Sequence, residues 1–492
     1  MTVRQSTGLC INDLTISYGA RAVVHIPDLA LDPGSYTVVS GPSGCGKSSL
    51  ALALAGVLDE MTGARVTGDI HFDGVPLSDH TPANSTPVAA VWQSPQAQLF
   101  RSTVLDEVRA GLDFRLVPVE EGDHRAREAL HFVGLDHLAE LRDPLTLSGG
   151  EQQRLALAAA LVLDAPLLIL DEASSQLDRE STARFSTVLA EARAHRGITV
   201  LAFDHRPDPH LAQASRVIVL DSTGRIALDG SPADVYDRHA AQCHEVGIRV
   251  PTRRTAAGRT PAEVAAGTAG SAAASPGLVV RGLTVHRSSR DRTQDPLLRN
   301  VSFDLPAGAV ALLVGPNGSG KSTLLNALAG LHPRAEGHIE PGRQHRRRRG
   351  IGYAPQRGGE LFVTASVRKE VGAILPRVDP LEAGSSDCDL DGKLDRAGLL
   401  SLADAHPQRL SGGQRQRLTT LLAMAGAPAL LLLDEPTNAQ DTRGSEQVLA
   451  LIGHGVSQRI AVIATHEEEL FAGLATHRIE MEAGTIRSVL DL

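Results

Sequence analysis

Two nine-residue stretches carry the first chemical signal: GPSGCGKSS at residues 41–49 and GPNGSGKST at 315–323. Each fits G-x-x-x-x-G-K-[ST], a spacing in which glycines let backbone N–H groups turn inward around a phosphate. The first cradle would comprise Gly41, Pro42, Ser43, Gly44, Cys45, Gly46, Lys47, Ser48 and Ser49. The second would comprise Gly315, Pro316, Asn317, Gly318, Ser319, Gly320, Lys321, Ser322 and Thr323. Lys47 and Lys321 would reach the β- and γ-phosphates of a nucleotide, and Ser48 and Ser322 would bind its Mg²⁺. The chain has four lysines, Lys47, Lys321, Lys369 and Lys393, which leaves 44 arginines among its 48 basic residues. Two of those four sit in the repeated loops, where a compact ammonium is favoured over a planar guanidinium.

A second repeated feature is an apolar run that ends in two acids, LLILDE closing on Asp171 and Glu172 and LLLLDE closing on Asp434 and Glu435. Such runs read as parallel strands buried on both faces. Ligands of an open α/β sheet sit at the carboxyl ends of its strands. There Asp171 and Asp434 would hold magnesium through its water shell, and Glu172 and Glu435 would polarise an attacking water.

The elements that must position these groups are legible on either side. SYTVVS before the first loop alternates and is β-branched, which predicts a strand. SSLALALAGVL after it predicts a helix. The second copy has AVALLV and STLLNALAGL in the same places. Further echoes follow in order: VWQSPQAQLF (91–100) with YAPQRGGELF (353–362), LSGGEQQRL (147–155) with LSGGQRQRL (410–418), and LAFDHRPD (201–208) with VIATHEEE (462–469). The register is preserved: Gln93 to Ser148 and Gln356 to Ser411 both span 55 residues, and Ser148 to Asp171 and Ser411 to Asp434 both span 23. Lys47 to Gln93 spans 46 residues but Lys321 to Gln356 only 35, so the first half carries an insertion around DHTPANSTP (79–87). The Ala/Gly/Thr/Pro-rich stretch 254–277 has little to bury and reads as a flexible tether. The expected domains are therefore 1–253 and 278–492, with no room for a third after His466.

Composition narrows the classes. Apolar residues make up 42 % of 492, enough for cored globular domains, and a net charge of −9 argues against nonspecific nucleic-acid wrapping. Cys10, Cys45, Cys243 and Cys388 lie too far apart for a zinc or iron–sulfur ligand set. The N-terminus lacks a signal-peptide core. The longest apolar run, Leu155 to Leu170, is interrupted by Asp164 and Pro166 and is too short for a membrane span of about 20 residues. A membrane role would need a partner chain.

Phosphate loop, glutamine loop, LSGG signature, LDE strand and final histidine, in this order and twice over, resemble the ATP-binding-cassette ATPases. The resemblance covers essentially the whole chain and implies an α/β fold of two tandem P-loop domains. Each would have a parallel-sheet core, an antiparallel β-subdomain, and a helical subdomain that includes the span 123–141. It implies ATP and Mg²⁺ as cofactors. Gln93 and Gln356 would touch the metal and sense the γ-phosphate, and His205 and His466 would contact that phosphate. Tyr18 would stack on adenine, with Arg287 at the matching place in the second half. Ser148, Gly149 and Gly150 of one half, and Ser411, Gly412 and Gly413 of the other, would complete the opposite half's site. Both halves keep these groups, which implies two hydrolytic sites. Ala173 stands where proline is usual and Gln440 where leucine is common.

VWQSPQAQLFRSTVLDEVRAGL (91–112), FDHRPD around His205 and GIRVP (247–251) are similar to the fused two-cassette ATPases of energy-coupling factor transporters. That implies a peripheral motor at the cytoplasmic face of the membrane. Its partners would be a transmembrane coupling subunit docked near Gln93 and Gln356 and a separate substrate-binding membrane subunit. The segment is often acidic in that group; here it reads Gln96-Ala97-Gln98, and Glu360 marks the second half. A ribosomal twin-cassette factor and a sugar or peptide importer remain open, although the tether lacks the charged helical hairpin of the former. The basic run RQHRRRRG (343–350) reads as a solvated loop.

Overall fold

The computed structural model describes residues 8–58, 63–77, 87–138, 140–175, 177–248, 250–251, 276–286, 295–340, 350–356, 362–374, 390–438, 440–454 and 459–492. The chain divides into two compact units, Met1–Pro251 and Thr252–Leu492.

In the first unit, β1 (Leu9–Tyr18) and β2 (Arg21–Leu31) form a hairpin ahead of the phosphate loop, and β3 (Tyr36–Ser40) leads into that loop. Then come α1 (Lys47–Leu54), β4 (Arg65–Phe72), β5 (Val75–Pro76) and β6 (Val88–Val91). Three helices follow: α2 (Val104–Phe114), α3 (Val119–Phe132) and α4 (Gly149–Leu161). The unit closes with β7 (Leu167–Asp171), α5 (Arg179–Arg196), β8 (Thr199–Phe203), β9 (Arg216–Leu220), β10 (Ile226–Gly230) and α6 (Ala240–Val246). The main sheet runs β10-β9-β3-β8-β7-β6, parallel except for β10, and a second, antiparallel sheet runs β2-β1-β4-β5. The antiparallel sheet draws on chain from both sides of the phosphate loop, because β1 pairs with β4 from Leu9↔Phe72 onward.

The buried parallel strands divide two cores between their faces. Leu167, Ile169, Leu201 and Phe203 pack with the antiparallel sheet and α1, while Leu168, Leu170, Val200 and Ala202 pack with α2, α3 and α4. This is the period-two alternation of a strand, with apolar residues at both phases because both faces are covered.

The second unit repeats the plan. Its elements are β11 (Pro276–Val285), β12 (Leu298–Pro306), β13 (Val310–Val314), α7 (Lys321–Leu328), β14 (Ala335–Glu340) and β15 (Ile351–Ala354). They continue with α8 (Val367–Gly372), α9 (Leu390–Arg396), α10 (Gly412–Met424), β16 (Leu430–Asp434), α11 (Thr442–Gly453), β17 (Ile460–Ala464), β18 (His477–Glu482) and β19 (Thr485–Asp491). Its main sheet, β15-β16-β17-β13-β18-β19, has the same strand order as the first, and β12-β11-β14 matches the antiparallel sheet.

Within the span 123–141, α3 ends at Phe132, and Gly134 takes φ 69° to close it, with Leu135 N–H returned to the Leu130 carbonyl at 2.8 Å. One expectation needs correction. The stretch 254–277 is not all tether, since β11 begins at Pro276 and pairs with Pro306. Residues 254–275, most of DHTPANSTP, Arg287, the 343–349 run, Glu360 and Cys388 lie outside the described residues. Among the described residues, no helix is long and apolar enough to cross a membrane.

Candidate functional site

Each phosphate loop leaves a buried strand and enters a helix through a left-handed glycine: Gly46 at φ 99° and Gly320 at φ 102°. A Cβ on Gly46 would stand 2.4 Å from Val24 Cγ2 and 2.8 Å from the Val23 carbonyl, so the position requires glycine on steric as well as torsional grounds. Lys47 Nζ donates to the carbonyls of Gly41 at 2.7 Å and Pro42 at 3.0 Å. Lys321 Nζ makes the same pair with Gly315 at 2.7 Å and Pro316 at 3.1 Å. Both ammoniums are thus buried over the mouth of their own loop. Tyr18, half-exposed at the end of β1, shares a hydrogen bond of 3.1 Å with Ser49 Oγ at the start of α1, which puts its ring beside the first loop.

The LDE pairs lie at the carboxyl ends of β7 and β16. Glu172 and Glu435 take φ 47° and 50°, the left-handed region that costs an ordinary residue about 1–2 kcal/mol. Their N–H groups continue the sheet, Glu172 to the Phe203 carbonyl at 2.8 Å and Glu435 to that of Ala464 at 2.9 Å. Asp171 is buried and its Oδ1 has no hydrogen-bond partner. Burial first, then the charge of Glu172, pushes its carboxyl up to about 7, against the opposing effects of a Ser48 hydrogen bond and the Lys47 ammonium. Burial likewise raises Asp434, opposed by Ser322 and Lys321. Burial pushes Glu435 up as well, and its buried Oε1 accepts no hydrogen bond. Each half therefore brings together a hydroxyl and a desolvated carboxylate, hard oxygen donors of the kind that fit Mg²⁺, beside a buried ammonium that suits a phosphate.

The glutamine and histidine positions converge differently in the two halves. Gln93 Nε2 donates to Glu172 Oε2 at 2.7 Å, and His205 Nδ1 lies 3.2 Å from Glu172 Oε1. Gln356 is exposed. His466 Nε2 meets Asn317 Oδ1 of the phosphate loop at 3.1 Å and stands 3.3 Å from Glu435 Oε1, and its backbone N–H points to Glu435 Oε2 at 3.4 Å.

Ser148 and Ser411 cap the signature helices α4 and α10 through capping boxes with Glu151 and Gln414. Gly149 and Gly412 are exposed at the first helical position, where N–H groups have no intrahelical acceptor and an anion is favoured. The two serine side chains thus start the signature helices in the same way in both halves.

The sequence reading missed two acids that brace the glutamine loops. Glu107 on α2 accepts from the N–H groups of Phe100 at 3.0 Å and Arg101 at 2.7 Å. Glu370 on α8 accepts from those of Val363 and Thr364, the latter at 2.8 Å. Each acid lies 14 residues after its glutamine, at a buried helix position, and an acid among buried apolar neighbours at the same offset in both halves was the available signal.

Similarity to known proteins agrees with this geometry. The family model described as ABC transporter matches residues 24–175 and again 298–438. A Bacillus subtilis protein named "Putative HMP/thiamine import ATP-binding protein YkoD" is 32 % identical over 473 residues, 90 % of this chain and 84 % of that one. A Saccharolobus solfataricus protein named as an ABC transporter ATP-binding protein is 30 % identical, covering 88 % of this chain and 84 % of its own. Among solved structures, the archaeal ribosome recycling factor aABCE1, in complex with ribosomal stalk protein aP1, matches with TM-score 0.63 at 20 % identity over 98 % of this chain and 90 % of that one. At that identity the likeness speaks to fold alone. With two phosphate loops on two copies of one sheet topology and both copies matched by the same model, the chain belongs to the ABC transporter family, as an ATPase with two cassettes.

Proposed function

We propose that the chain is the ATP-hydrolysing motor of a membrane importer of the energy-coupling factor type, handling a vitamin, a vitamin precursor or a metal ion. The reading rests on the glutamine-loop and histidine-loop sequences and on the thiamine-import name of a relative at 32 % identity. The structural observation that carries it lies seven residues after each glutamine. Phe100 is 62 % exposed and Val363 87 % exposed, and each is held outward by the backbone clamp from Glu107 or Glu370. An apolar side chain presented on a braced loop at the same offset in both cassettes suits a pair of docking points for a transmembrane coupling subunit. The protein would then act at the cytoplasmic face of the membrane, with a substrate-binding membrane subunit choosing the cargo.

In each site the loop N–H groups and Lys47 or Lys321 would bind the β- and γ-phosphates. Ser48, Asp171 and Gln93, and Ser322, Asp434 and Gln356, would hold Mg²⁺, which supplies charge neutralisation at the phosphates when bound. Glu172 and Glu435 would accept a proton from the attacking water, with His205 and His466 beside them as donors toward the γ-phosphate. Ser148, Gly149 and Gly150, and Ser411, Gly412 and Gly413, would offer further donors to nucleotide.

A ribosomal role is the second reading, that of a twin-cassette factor, and the fold shared with the recycling factor does not separate it from the first. The test is affinity purification of the Glu172→Gln/Glu435→Gln chain with MgATP from detergent-solubilised membranes and, in parallel, cosedimentation with ribosomes. Recovery of a multi-span membrane subunit together with a cargo-binding one supports the importer. Cosedimentation with ribosomes and no membrane subunit overturns it.

A further inference from the structure

The first cassette contains a buried polar chain that the second lacks. Tyr36, at the start of β3, shares a hydrogen bond of 2.7 Å with His210 Nδ1. His210 Nε2 lies 3.1 Å from Asp204 Oδ2. Asp204 is fully buried, directly precedes His205, and also accepts from Ser174 Oγ at 3.2 Å and from the Arg206 N–H at 2.8 Å. Ser174 lies two residues after Glu172, and His205 stands 3.2 Å from Glu172 and 3.6 Å from Asp204 Oδ1. One carboxylate therefore ties the segment that carries Glu172 to the segment that carries His205, and a histidine and a tyrosine tie that carboxylate to the central strand.

Proton positions follow from burial. Burial, and after it the Asp204 charge, pushes the Tyr36 hydroxyl far up, so it keeps its proton and donates to His210 Nδ1. That leaves His210 Nε2–H to donate to Asp204. Burial alone would raise Asp204, but the hydrogen bond from His210 and the neighbouring Arg206 guanidinium outweigh it and hold the carboxyl well below its usual range.

The second cassette has none of these groups in register. Val310, Thr465 and Phe471 stand at the positions of Tyr36, Asp204 and His210, counted from Gly315 and His466. Thr437, in the place of Ser174, donates instead to Glu467 Oε2 at 2.7 Å. The histidines differ accordingly: the side chain of His205 is 9 % exposed and engaged with Glu172, whereas that of His466 is 30 % exposed and reaches the phosphate loop.

We propose that Tyr36, His210 and Asp204 are positioning residues for hydrolysis in the first cassette, acting through Ser174 and His205 on Glu172, and that the two cassettes are consequently unequal catalysts. The inference rests on the roles assigned above to Glu172 and His205. A rigid, charged brace fixes the acid and the switch histidine relative to the γ-phosphate before ATP arrives, and a misplacement of about 1 Å at such a site costs up to about 100-fold in rate.

The experiment uses the full chain, photoreactive azido-ATP with vanadate to trap the product of hydrolysis, and mass spectrometry to assign the labelled peptides to each cassette. His210→Phe installs the second cassette's residue and should lower trapping in the first cassette about 10-fold, with the second within about 2-fold of wild type. Steady-state kcat should fall while KM for ATP stays within about 2-fold. His210→Gln, which keeps a donor toward Asp204, should retain at least about half of the first-cassette signal. If His210→Phe fails to fold by thermal melting, Tyr36→Phe and Asp204→Asn decide the question in the same assay. Equal loss in both cassettes, no loss, or a change confined to KM overturns the proposal. Glu172→Gln is run alongside. If it leaves first-cassette trapping intact, the assignment of the site itself is wrong; if it abolishes trapping while the brace variants do not, the brace alone is wrong.

Discussion

Gln93 Nε2 donates to Glu172 Oε2 over 2.7 Å, joining residues 79 apart in sequence. His205 engages the other oxygen of the same carboxylate. Both oxygens of Glu172 are therefore held, while Glu435 keeps one buried oxygen without a hydrogen bond. The first cassette is the more tightly assembled of the two at its proposed water-activating acid.

Removing that acid tests the chemistry directly. Glu172→Gln and Glu435→Gln should each lower steady-state ATP turnover, and the double variant should lose about 100-fold or more, the usual scale for a positioned base. Phosphate release at saturating MgATP measures it. Turnover by Glu435→Gln at the wild-type rate would show the second site to be idle.

The two lysines should be separable from the fold. Each Nζ donates to two carbonyls of its own loop. Lys47→Ala or Lys321→Ala should weaken MgATP at one site by about 10- to 100-fold, the worth of a charge-assisted hydrogen bond. Calorimetric titration of a Glu172→Gln/Glu435→Gln background should show two sites, and one after either lysine substitution.

Asp171 should cost the fold stability in neutral solution. Its carboxyl is raised from 3.8 to about 7. Between those values the folded chain holds a proton that the unfolded chain has released, so this group's contribution falls as pH rises through the window and is constant above it. Asp171→Asn should match the parent below about pH 4 and exceed it at pH 8 by up to about 4 kcal/mol. It should also lose Mg²⁺-dependent turnover. Urea unfolding across that range, without nucleotide, gives the difference. A constant difference at all pH values would contradict the assignment.

The loop clamps make a structural prediction. Glu107→Ala leaves the N–H groups of Phe100 and Arg101 without their acceptor and should cost up to about 6 kcal/mol, at about 1–3 kcal/mol per orphaned donor. Glu107→Gln keeps an acceptor oxygen and should cost less. Chemical denaturation of the full chain, followed through Trp92, resolves the two, because Trp92 N–H is itself fixed to Gln98 Oε1 at 2.9 Å on the same loop.

The sequence by itself determined the phosphate loops, the acid-ended strands, the signature serines and the duplication that spaces them. These are contiguous patterns whose chemistry depends on backbone turns and on neighbours within a few residues, as Gly46 and Ser148 show. It also determined that the acid-ended strands are buried on both faces. Only the tertiary structure decided which oxygens of Glu172 are held, that Glu107 and Glu370 brace exposed apolar side chains, and that Tyr36 meets His210 across 174 positions. The contacts of Glu172 follow from the strand order β8-β7-β6, which lays the carboxyl ends of three distant segments side by side. Parallel strands are joined by long crossovers, so the residues that meet at their carboxyl ends share no local pattern along the chain.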